Sequence, residues 1–326
     1  MFKQWDHKIV TLKKEDFEAT ALEVFRFQYK ENQIYKEYAD ALHIKASDVK
    51  AIEQVPFLPI RFFKTHQVKT CDFEPETVFE SSGTTRTISS KHFVKDVSLY
   101  EQSFKNGFEL FYGSIKDWCI LGLLPSYLER DNSSLIYMVD KLMKENGHPQ
   151  NGFFLNDFEK LRSTLSELES KKQKTLLIGV TFALLDFAKD FPQPLQHIII
   201  METGGMKGRR EEMIRQEVHQ ELKNAFSVSS IHSEYGMTEL LSQAYSKQDG
   251  IFYCPPWMKV MVRDEEDPFT LSDQQTGVIN IIDLANIHSC SFIATDDAGK
   301  IYKDGSFEIL GRIDNSDIRG CSLLAL

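Results

Sequence analysis

The sequence lacks long hydrophobic runs and most features of extracellular or metal-stabilised proteins. Its five cysteines are odd in number and form no C-x-x-C pair, which fits free thiols in a reducing compartment. The nine histidines contain no H-x-x-x-H spacing, so a structural zinc site is not expected. No apolar stretch reaches the length of a membrane span, and the first residues do not resemble a signal peptide. These absences predict a cytoplasmic protein with no membrane insertion.

Basic residues are also in deficit. The chain has 38 Lys and Arg against 48 Asp and Glu, a formal net charge of −10, which argues against nucleic acid or a membrane surface as partner. Hydrophobic residues at 42% and charged residues at 26% are the balance of an ordinary globular protein. A chain of 326 residues is long enough for two or three subdomains.

The hydrophobic patterns predict three regions. We expect a helical segment at 1–55, an α/β core at 56–250 and a small β subdomain with a C-terminal tail at 251–326. From 158 to 231 helical and strand patterns alternate, and the last strand of this series is predicted at 225–231. Such alternation is typical of a parallel sheet covered by helices. Ligands of these sheets bind beyond the carboxyl ends of the strands, so the segments at 202–205 and 232–239 are expected at the binding edge.

A hydroxyl-rich loop at 79–86 has the sequence FESSGTTR. Its central residues are Ser81, Ser82, Gly83, Thr84 and Thr85. Glycine permits a tight turn, and successive backbone N–H groups with added hydroxyls can form an anion-binding nest suited to an oligophosphate. The loop does not have the lysine of the G-x-x-x-x-G-K-[ST] phosphate loop. A polar surface loop is the alternative interpretation.

Three further segments follow this loop in order: YGMTE at 235–239, TDD at 295–297 and GR at 311–312. Together the four segments resemble the adenylate-forming superfamily of acyl-CoA synthetases, luciferase-type enzymes and peptide-synthetase adenylation domains. The segments FESSGTT at 79–85, LPSYL at 124–128, SEYGMTEL at 233–240 and RGC at 319–321 are more similar to the acyl-protein synthetase family. The namesake of that family is the synthetase component of the fatty-acid reductase of bacterial bioluminescence. Phenylacetate–CoA ligases are more distant relatives.

The resemblance implies a fold and an activity. The fold is α/β, the large N-terminal domain of adenylate-forming enzymes with a small β subdomain, lacking the mobile C-terminal domain. The activity is ATP-dependent activation of a fatty or aryl carboxylic acid to an acyl-adenylate, then acyl transfer to a thiol. The implied cofactors are ATP and Mg²⁺.

The resemblance also assigns roles to residues at the nucleotide site. The loop at 81–85 would hold the β- and γ-phosphates of ATP. Gly204 and Gly205 would let the backbone approach adenine. Tyr235 would stack on the adenine ring, on the same turn as Gly236.

The remaining implied roles concern the reacting groups. Thr238 would contact the α-phosphate and the acyl carboxylate, and Glu239 would bind Mg²⁺. Asp297 would accept hydrogen bonds from the ribose hydroxyls, and Arg312 would reach the ribose and phosphate. A metal ion and aligned donors offset the repulsion between a carboxylate and an α-phosphate.

The sequence departs from the superfamily pattern at three places. Arg86 and Asp296 each stand where the pattern has glycine, and no lysine occurs after Lys303. Most relatives continue into a mobile domain whose lysine serves adenylation. We therefore expect that another group takes that role, or that adenylation is slow or needs a partner.

Cys321 follows Arg319-Gly320 in the last segment and is the candidate acyl acceptor, since a tethered thiol can attack an acyl-adenylate intramolecularly. The expected partners are a carboxylic acid and an acyl-CoA reductase-like or acyl-carrier protein. Two alternatives stay open. One is a CoA ligase of the phenylacetate type, and the other is a non-catalytic subunit that binds a nucleotide or an acyl chain.

Overall fold

The computed structural model describes residues 8–81, 88–124, 132–155, 157–204, 213–265, 271 and 275–313. Six predicted site residues lie outside the described residues: Ser82, Gly83, Thr84, Thr85, Gly205 and Cys321. In the described ranges, no helix is long and apolar enough to cross a membrane.

The helices follow the predicted apolar spacing closely. They are α1 (Phe17–Glu31), α2 (Gln33–Ala41), α3 (Phe62–Thr65), α4 (Val97–Tyr112), α5 (Ser134–Asn146), α6 (Phe158–Ser170), α7 (Thr181–Asp190) and α8 (Arg215–Phe226). Polar residues begin several of them: Asn32, Asp96 and Ser133 each accept a backbone N–H of the first turn. Two of these helices, α1 and α2, lie between residues 17 and 41, inside the segment 1–55 that is predicted to be helical.

The strands run through most of the chain. They are β1 (Leu58–Pro59), β2 (Thr77–Glu80), β3 (Lys91–Val94), β4 (Cys119–Leu123), β5 (Gly152–Phe153), β6 (Thr175–Gly179), β7 (Ile198–Glu202), β8 (His232–Tyr235), β9 (Ala244–Ser246), β10 (Phe252–Tyr253), β11 (Met258–Arg263), β12 (Thr276–Asp283), β13 (Phe292–Ile301) and β14 (Phe307–Arg312). Strands β2 and β3 form a separate antiparallel pair. In the part of the chain that is described, the other twelve strands form one sheet.

The parallel half of this sheet has the order β5-β4-β6-β7-β8. Alternate residues of its strands enter two different apolar clusters: Cys119, Leu121 and Leu123 join one with α6, α7 and α8. Ile120 and the β6 side chains on the same face of the sheet join the other cluster, together with α4 and α5. Because successive side chains of a strand point to opposite faces, helices cover both faces. This is the predicted α/β architecture.

The predicted strand at 225–231 is wrong in its bounds. Residues 225 and 226 belong to the last turn of α8, which ends where Ser227 takes a left-handed conformation (φ 52°). The strand begins only at His232. The apolar pattern suggests a strand because Phe226 and Ile231 are both fully buried. Phe226 lies at the end of α8, and Ile231 lies in the connection that follows.

Beyond β8 the sheet continues without a break into antiparallel strands. The order is β8-β9-β10-β14-β13-β12-β11, so strands β10 to β14 belong to the same sheet as the parallel half. A hairpin around Asp304-Gly305 joins β13 to β14, and Gly305 has the left-handed conformation that such a turn requires (φ 87°).

Helix α1 is anchored to this antiparallel half by one buried side chain. The Gln28 amide donates to the carbonyls of Asn286 and Ile287 at 3.0 Å each and accepts from the Ser291 N–H at 2.9 Å. The 3₁₀ helix Leu284–His288 is thereby fixed against α1. Asn286 in turn donates to the Glu239 carbonyl at 2.7 Å, so the N-terminal helices support a predicted site segment.

Candidate functional site

Three predicted site residues meet where β8, β13 and β14 lie together. The Tyr235 hydroxyl donates to Asp297 Oδ2 at 2.8 Å, and Arg312 Nε lies 3.9 Å from Asp297 Oδ1. Asp297 pairs with Arg312 in the β13–β14 register. Residues far apart in sequence therefore form one connected group at the sheet edge.

The Tyr235 ring has a fixed position. It packs against Phe252 and Phe307 with ring centroids 5.9 and 5.5 Å away, and burial together with Asp297 raises the pKa of its hydroxyl. Tyr235 is 9% exposed. The hydroxyl therefore remains protonated and keeps the Asp297 carboxylate oriented.

Glu239 is a nearly buried carboxylate on the segment that follows β8. Burial raises the pKa of Glu239, while a hydrogen bond from Ser90 and the charges of Arg312 and Lys64 partly oppose that rise. The positive charge of Arg312 thus acts on both Asp297 and Glu239.

The base of the hydroxyl-rich loop is closed by two residues. The Ser81 N–H donates to the Ser90 carbonyl at 3.0 Å, and the Ser90 N–H donates to the Ser81 hydroxyl at 2.9 Å. The Ser90 side chain also bonds to Glu239. The chain therefore enters and leaves the loop directly beside the Glu239 carboxylate.

His92 fixes the backbone of Thr238. Its Nδ1 lies 2.9 Å from the Thr238 carbonyl, which can only accept, so Nδ1 carries the proton. Burial lowers the pKa of His92 to about 4, and the imidazole is neutral at physiological pH. His92 therefore positions the Thr238 segment from β3.

The segment after β7 is held by Glu202. Its Oε2 accepts from the Gly204 N–H at 2.7 Å and from the Thr181 hydroxyl at 3.1 Å. Burial alone would raise the pKa of Glu202, but His219 and the Arg215 charge override it and lower that pKa to about 2. Gly204 has φ +74°, and a side chain there would meet nothing within 4 Å. No atom of the described residues therefore lies over the Gly204 backbone.

Sequence reasoning missed the residues that support the site. Ser90, His92 and Glu202 contact predicted site residues or their backbone, and Lys64 acts on Glu239 through its charge. Only Glu202 has a recognisable signal, a carboxylate that ends the apolar strand β7 at the expected binding edge. The others come from β3 and α3 or their flanks, whose place beside β8 is set by tertiary packing.

The described cysteines are poor nucleophiles. Burial raises the pKa of Cys119, Cys254 and Cys290 to about 12, and burial followed by the Glu31 charge raises that of Cys71. A thiolate is the reactive form of cysteine. None of these four thiols is therefore activated.

The donor groups suit Mg²⁺ better than a metal held by protein alone. Among the described residues, no three His, Cys, Asp or Glu side chains lie close enough together to hold an ion. Mg²⁺ commonly uses one or two protein carboxylates and completes its shell with substrate phosphates and water. A single carboxylate such as Glu239 fits that pattern.

Comparison with protein families gives one match over nearly the whole chain. The model of the family described as "Acyl-protein synthetase, LuxE" matches residues 10–325. Among curated protein sequences, no significant match to this chain is found.

Solved structures share the fold at low sequence identity. ATP-bound MatB from Rhodopseudomonas palustris is 17% identical over 74% of this chain and 49% of that one, with a TM-score of 0.54. The luciferase-like enzyme of the nonluminescent Zophobas morio mealworm is 15% identical over 75% of this chain and 60% of that one, with a TM-score of 0.53. A 2-hydroxyisobutyryl-CoA ligase is 12% identical over 95% of this chain and 68% of that one, with a TM-score of 0.63. The chain spans about half the length of the MatB chain.

Proposed function

The chain belongs to the acyl-protein synthetase family, and on that premise we propose that it activates a carboxylic acid with ATP and passes the acyl group to a thiol. The observation that carries the proposal is the meeting of Tyr235, Asp297 and Arg312 beside Glu239. An ATP site needs hydrogen-bond donors for the phosphates, a carboxylate for the ribose hydroxyls and a carboxylate for a metal ion. A fatty or aryl acid is the proposed substrate class.

Each site residue has one role in this proposal. The loop at 81–85 and Gly204-Gly205 bind the phosphates and the adenine, with Tyr235 beside the adenine ring and Asp297 and Arg312 on the ribose. Thr238, whose backbone His92 fixes, orients the acid carboxylate. Glu239 would hold Mg²⁺, which when bound would neutralise phosphate charge.

The proposed reaction has two steps. In the first, a carboxylate oxygen attacks the α-phosphorus, the P–O bond to pyrophosphate breaks, and acyl-adenylate forms. In the second, a thiolate attacks the acyl carbon, the C–S bond forms, the C–O bond to AMP breaks, and AMP leaves. The thiol proton goes to solvent. Binding both reactants in one place supplies much of the rate advantage.

Cys321 is the proposed acceptor in the second step. The four other cysteines have raised pKa values, which leaves Cys321 as the candidate, with Arg319 two positions away. From the thioester the acyl group would pass to a reductase-like or acyl-carrier protein. We place these steps in the cytoplasm.

Acyl labelling tests the acceptor. Incubation with MgATP and a labelled acid substrate should leave a hydroxylamine-sensitive acyl group that peptide mapping places at Cys321. Cys321→Ser should abolish the label and spare pyrophosphate exchange, while the matched variant Cys71→Ser should keep the label. If the label persists in Cys321→Ser, Cys321 is not the acceptor. If CoA takes the acyl group equally fast with and without Cys321, the CoA-ligase alternative is correct.

A further inference from the structure

Strand β13 departs from regular pairing at the point where it carries Asp297. The register of the β12–β13 pair shifts between Val278 and Asn280, so that Ile279 alone faces residues 295–297. A bulge of this kind bends its strand, disrupts the local ladder of hydrogen bonds and re-aims a side chain. The direction of the Asp297 carboxylate therefore depends on the groups that hold the bulge.

The Thr295 side chain closes the bulge from within. Its hydroxyl donates to the Ile279 carbonyl at 2.8 Å and accepts from the Asp297 N–H at 3.2 Å. Thr295 is completely buried. This hydroxyl thus connects the residue opposite the bulge to the backbone of Asp297.

Arg263, on β11, reaches the same bulge from the far side of β12. Its Nη2 donates to the Thr295 carbonyl at 2.6 Å. Its Nη1 donates to the Ile279 carbonyl at 3.0 Å and to Asn280 Oδ1 at 2.7 Å. The donors of a guanidinium are fixed in one plane. One rigid group therefore binds both strands at the register shift.

The Arg263 guanidinium has a counter-charge at Asp296. Burial lowers the pKa of Arg263, and the negative charge of Asp296 opposes that effect. Arginine keeps its charge in proteins, so a nearby carboxylate favours its burial. Asp296 stands where the adenylate-forming pattern has glycine, and its backbone has no positive φ that would favour glycine. The charge of Arg263 accounts for a carboxylate at this position.

Stability alone does not account for a buried arginine here. Arg263 is 8% exposed, and its Nε has no hydrogen-bond partner in the part of the chain that the structure describes. A well-packed apolar side chain often stabilises a protein as much as a buried ion pair does. The three hydrogen bonds of Arg263 named above all lie at the register shift. We therefore look for its contribution in the geometry of the bulge.

We propose that Arg263 is a positioning residue that, with Asp296 as its counter-charge, fixes the bulge so that Asp297 is presented to the ribose hydroxyls of the nucleotide. The proposal rests on the proposed function, because that function places the ribose at Asp297. It adds to the site a residue that acts through the backbone of β13.

Calorimetry on the full chain with AMP and with 2′,3′-dideoxy-AMP tests this role. The ratio of the two dissociation constants isolates the ribose hydroxyls, and a loss of folded protein would not change it. We expect the wild type to bind AMP about 10-fold to 100-fold more tightly, because hydroxyls that donate to a carboxylate form strong hydrogen bonds. Arg263→Met, which keeps the length of the side chain, should bring the ratio to about 3-fold or less.

Further variants separate positioning from folding. Arg263→Lys should also lower the ratio, since a compact ammonium lacks the two separate nitrogens that reach the two strands. Asp296→Gly should lower the ratio in the wild type and change it little in Arg263→Met, because the counter-charge matters only to the guanidinium. Arg162→Met, at an exposed position of α6, is the matched control and should keep the wild-type ratio.

The outcomes distinguish this inference from the proposed function. The inference is overturned if Arg263→Met keeps the wild-type ratio; if that variant does not fold, Arg263→Lys decides in the same way. It is also overturned if Asp296→Gly lowers the ratio equally with and without Arg263. A ratio that falls in Asp297→Asn but not in the Arg263 variants leaves the proposed function standing alone. A wild type that binds neither nucleotide would contradict both.

Discussion

Three buried carboxyls at one sheet edge have different pKa values for different physical reasons. Glu202 is held ionised by His219 and Arg215, against the effect of burial. Burial raises the pKa of Glu239, while the hydrogen bond from Ser90 and the charges of two cations oppose the rise. Glu234 has burial and the Glu202 charge acting on it in the same direction. The neighbours, rather than burial alone, decide which carboxyl carries charge.

The raised pKa of Glu234 makes stability depend on pH. Below pH 4.5 the carboxyl is protonated in both states, and between 4.5 and about 8 only the unfolded chain loses the proton. Folded protein should therefore lose up to about 5 kcal/mol of stability across that window. Glu234→Gln should remove this loss, so urea unfolding of variant and wild type should diverge steadily from pH 5 to pH 9.

The groups facing Glu234 do not alter the direction of this effect. Tyr100 and Tyr112 on α4 and Tyr245 on β9 have raised pKa values through burial and then the Glu234 charge. Burial, then Lys247, lowers the pKa of His232 to about 4. These groups stay neutral between pH 5 and pH 9. Parallel stability curves for wild type and Glu234→Gln would refute the raised pKa.

The Tyr235 hydroxyl should matter for nucleotide affinity through Asp297. Tyr235→Phe removes the 2.8 Å hydrogen bond that the Tyr235 hydroxyl donates to Asp297, a loss of about 1 kcal/mol. We expect AMP to bind about 5-fold more weakly in calorimetry. Tyr253→Phe, at a half-exposed ring, is the matched control. An unchanged AMP affinity in Tyr235→Phe would mean that Asp297 needs no orientation from Tyr235.

At the scale of elements, the main coupling joins α1 to the loop between β12 and β13. Gln28 satisfies two carbonyls and one N–H of that loop, and Asn286 on the loop holds the Glu239 carbonyl. The N-terminal helices therefore stabilise the site segment although they contribute no side chain to it.

Removing the Gln28 side chain should show this coupling. Gln28→Ala removes the buried hydrogen bonds to the Asn286 and Ile287 carbonyls and to the Ser291 N–H, which costs about 2–4 kcal/mol. We expect a lower melting temperature in calorimetric scans. Gln102→Ala on α4, whose amide bonds only to an exposed backbone carbonyl, should change it little. A Gln28→Ala protein with the wild-type melting temperature would exclude a stabilising role.

Helices and strands can be predicted from the sequence where their buried residues recur at a single spacing. The apolar residues of α4 recur at helical spacing and β4 is a continuous apolar run, so local sequence indicates both elements, because α4 buries a single face and β4 is buried along its whole length. The contacts of His92 with Thr238 and of Gln28 with Asn286 span 146 and 258 positions. Such contacts depend on tertiary packing, which local patterns do not contain.

For the whole molecule, the sheet is the feature that assembles the site. Residues 235, 297 and 312 come from three strands of one twelve-stranded sheet, and the hydroxyl-rich loop arrives from the separate β2–β3 pair. The order of motifs in the sequence identified the family, and the sheet order explains how distant motifs become neighbours. The adenylation step should therefore depend on Glu239 wherever the acyl group goes next.

Acid-dependent ATP–pyrophosphate exchange, measured with a panel of fatty, hydroxy and aryl acids, tests that claim most directly. We predict exchange by the wild type with at least one acid and a loss of about 10²-fold or more in Glu239→Gln, since the variant keeps the shape of the side chain and removes its charge. AMP affinity should change little, and Glu221→Gln should exchange like the wild type. Equal exchange in wild type and Glu239→Gln, or no exchange with any acid, would contradict the account.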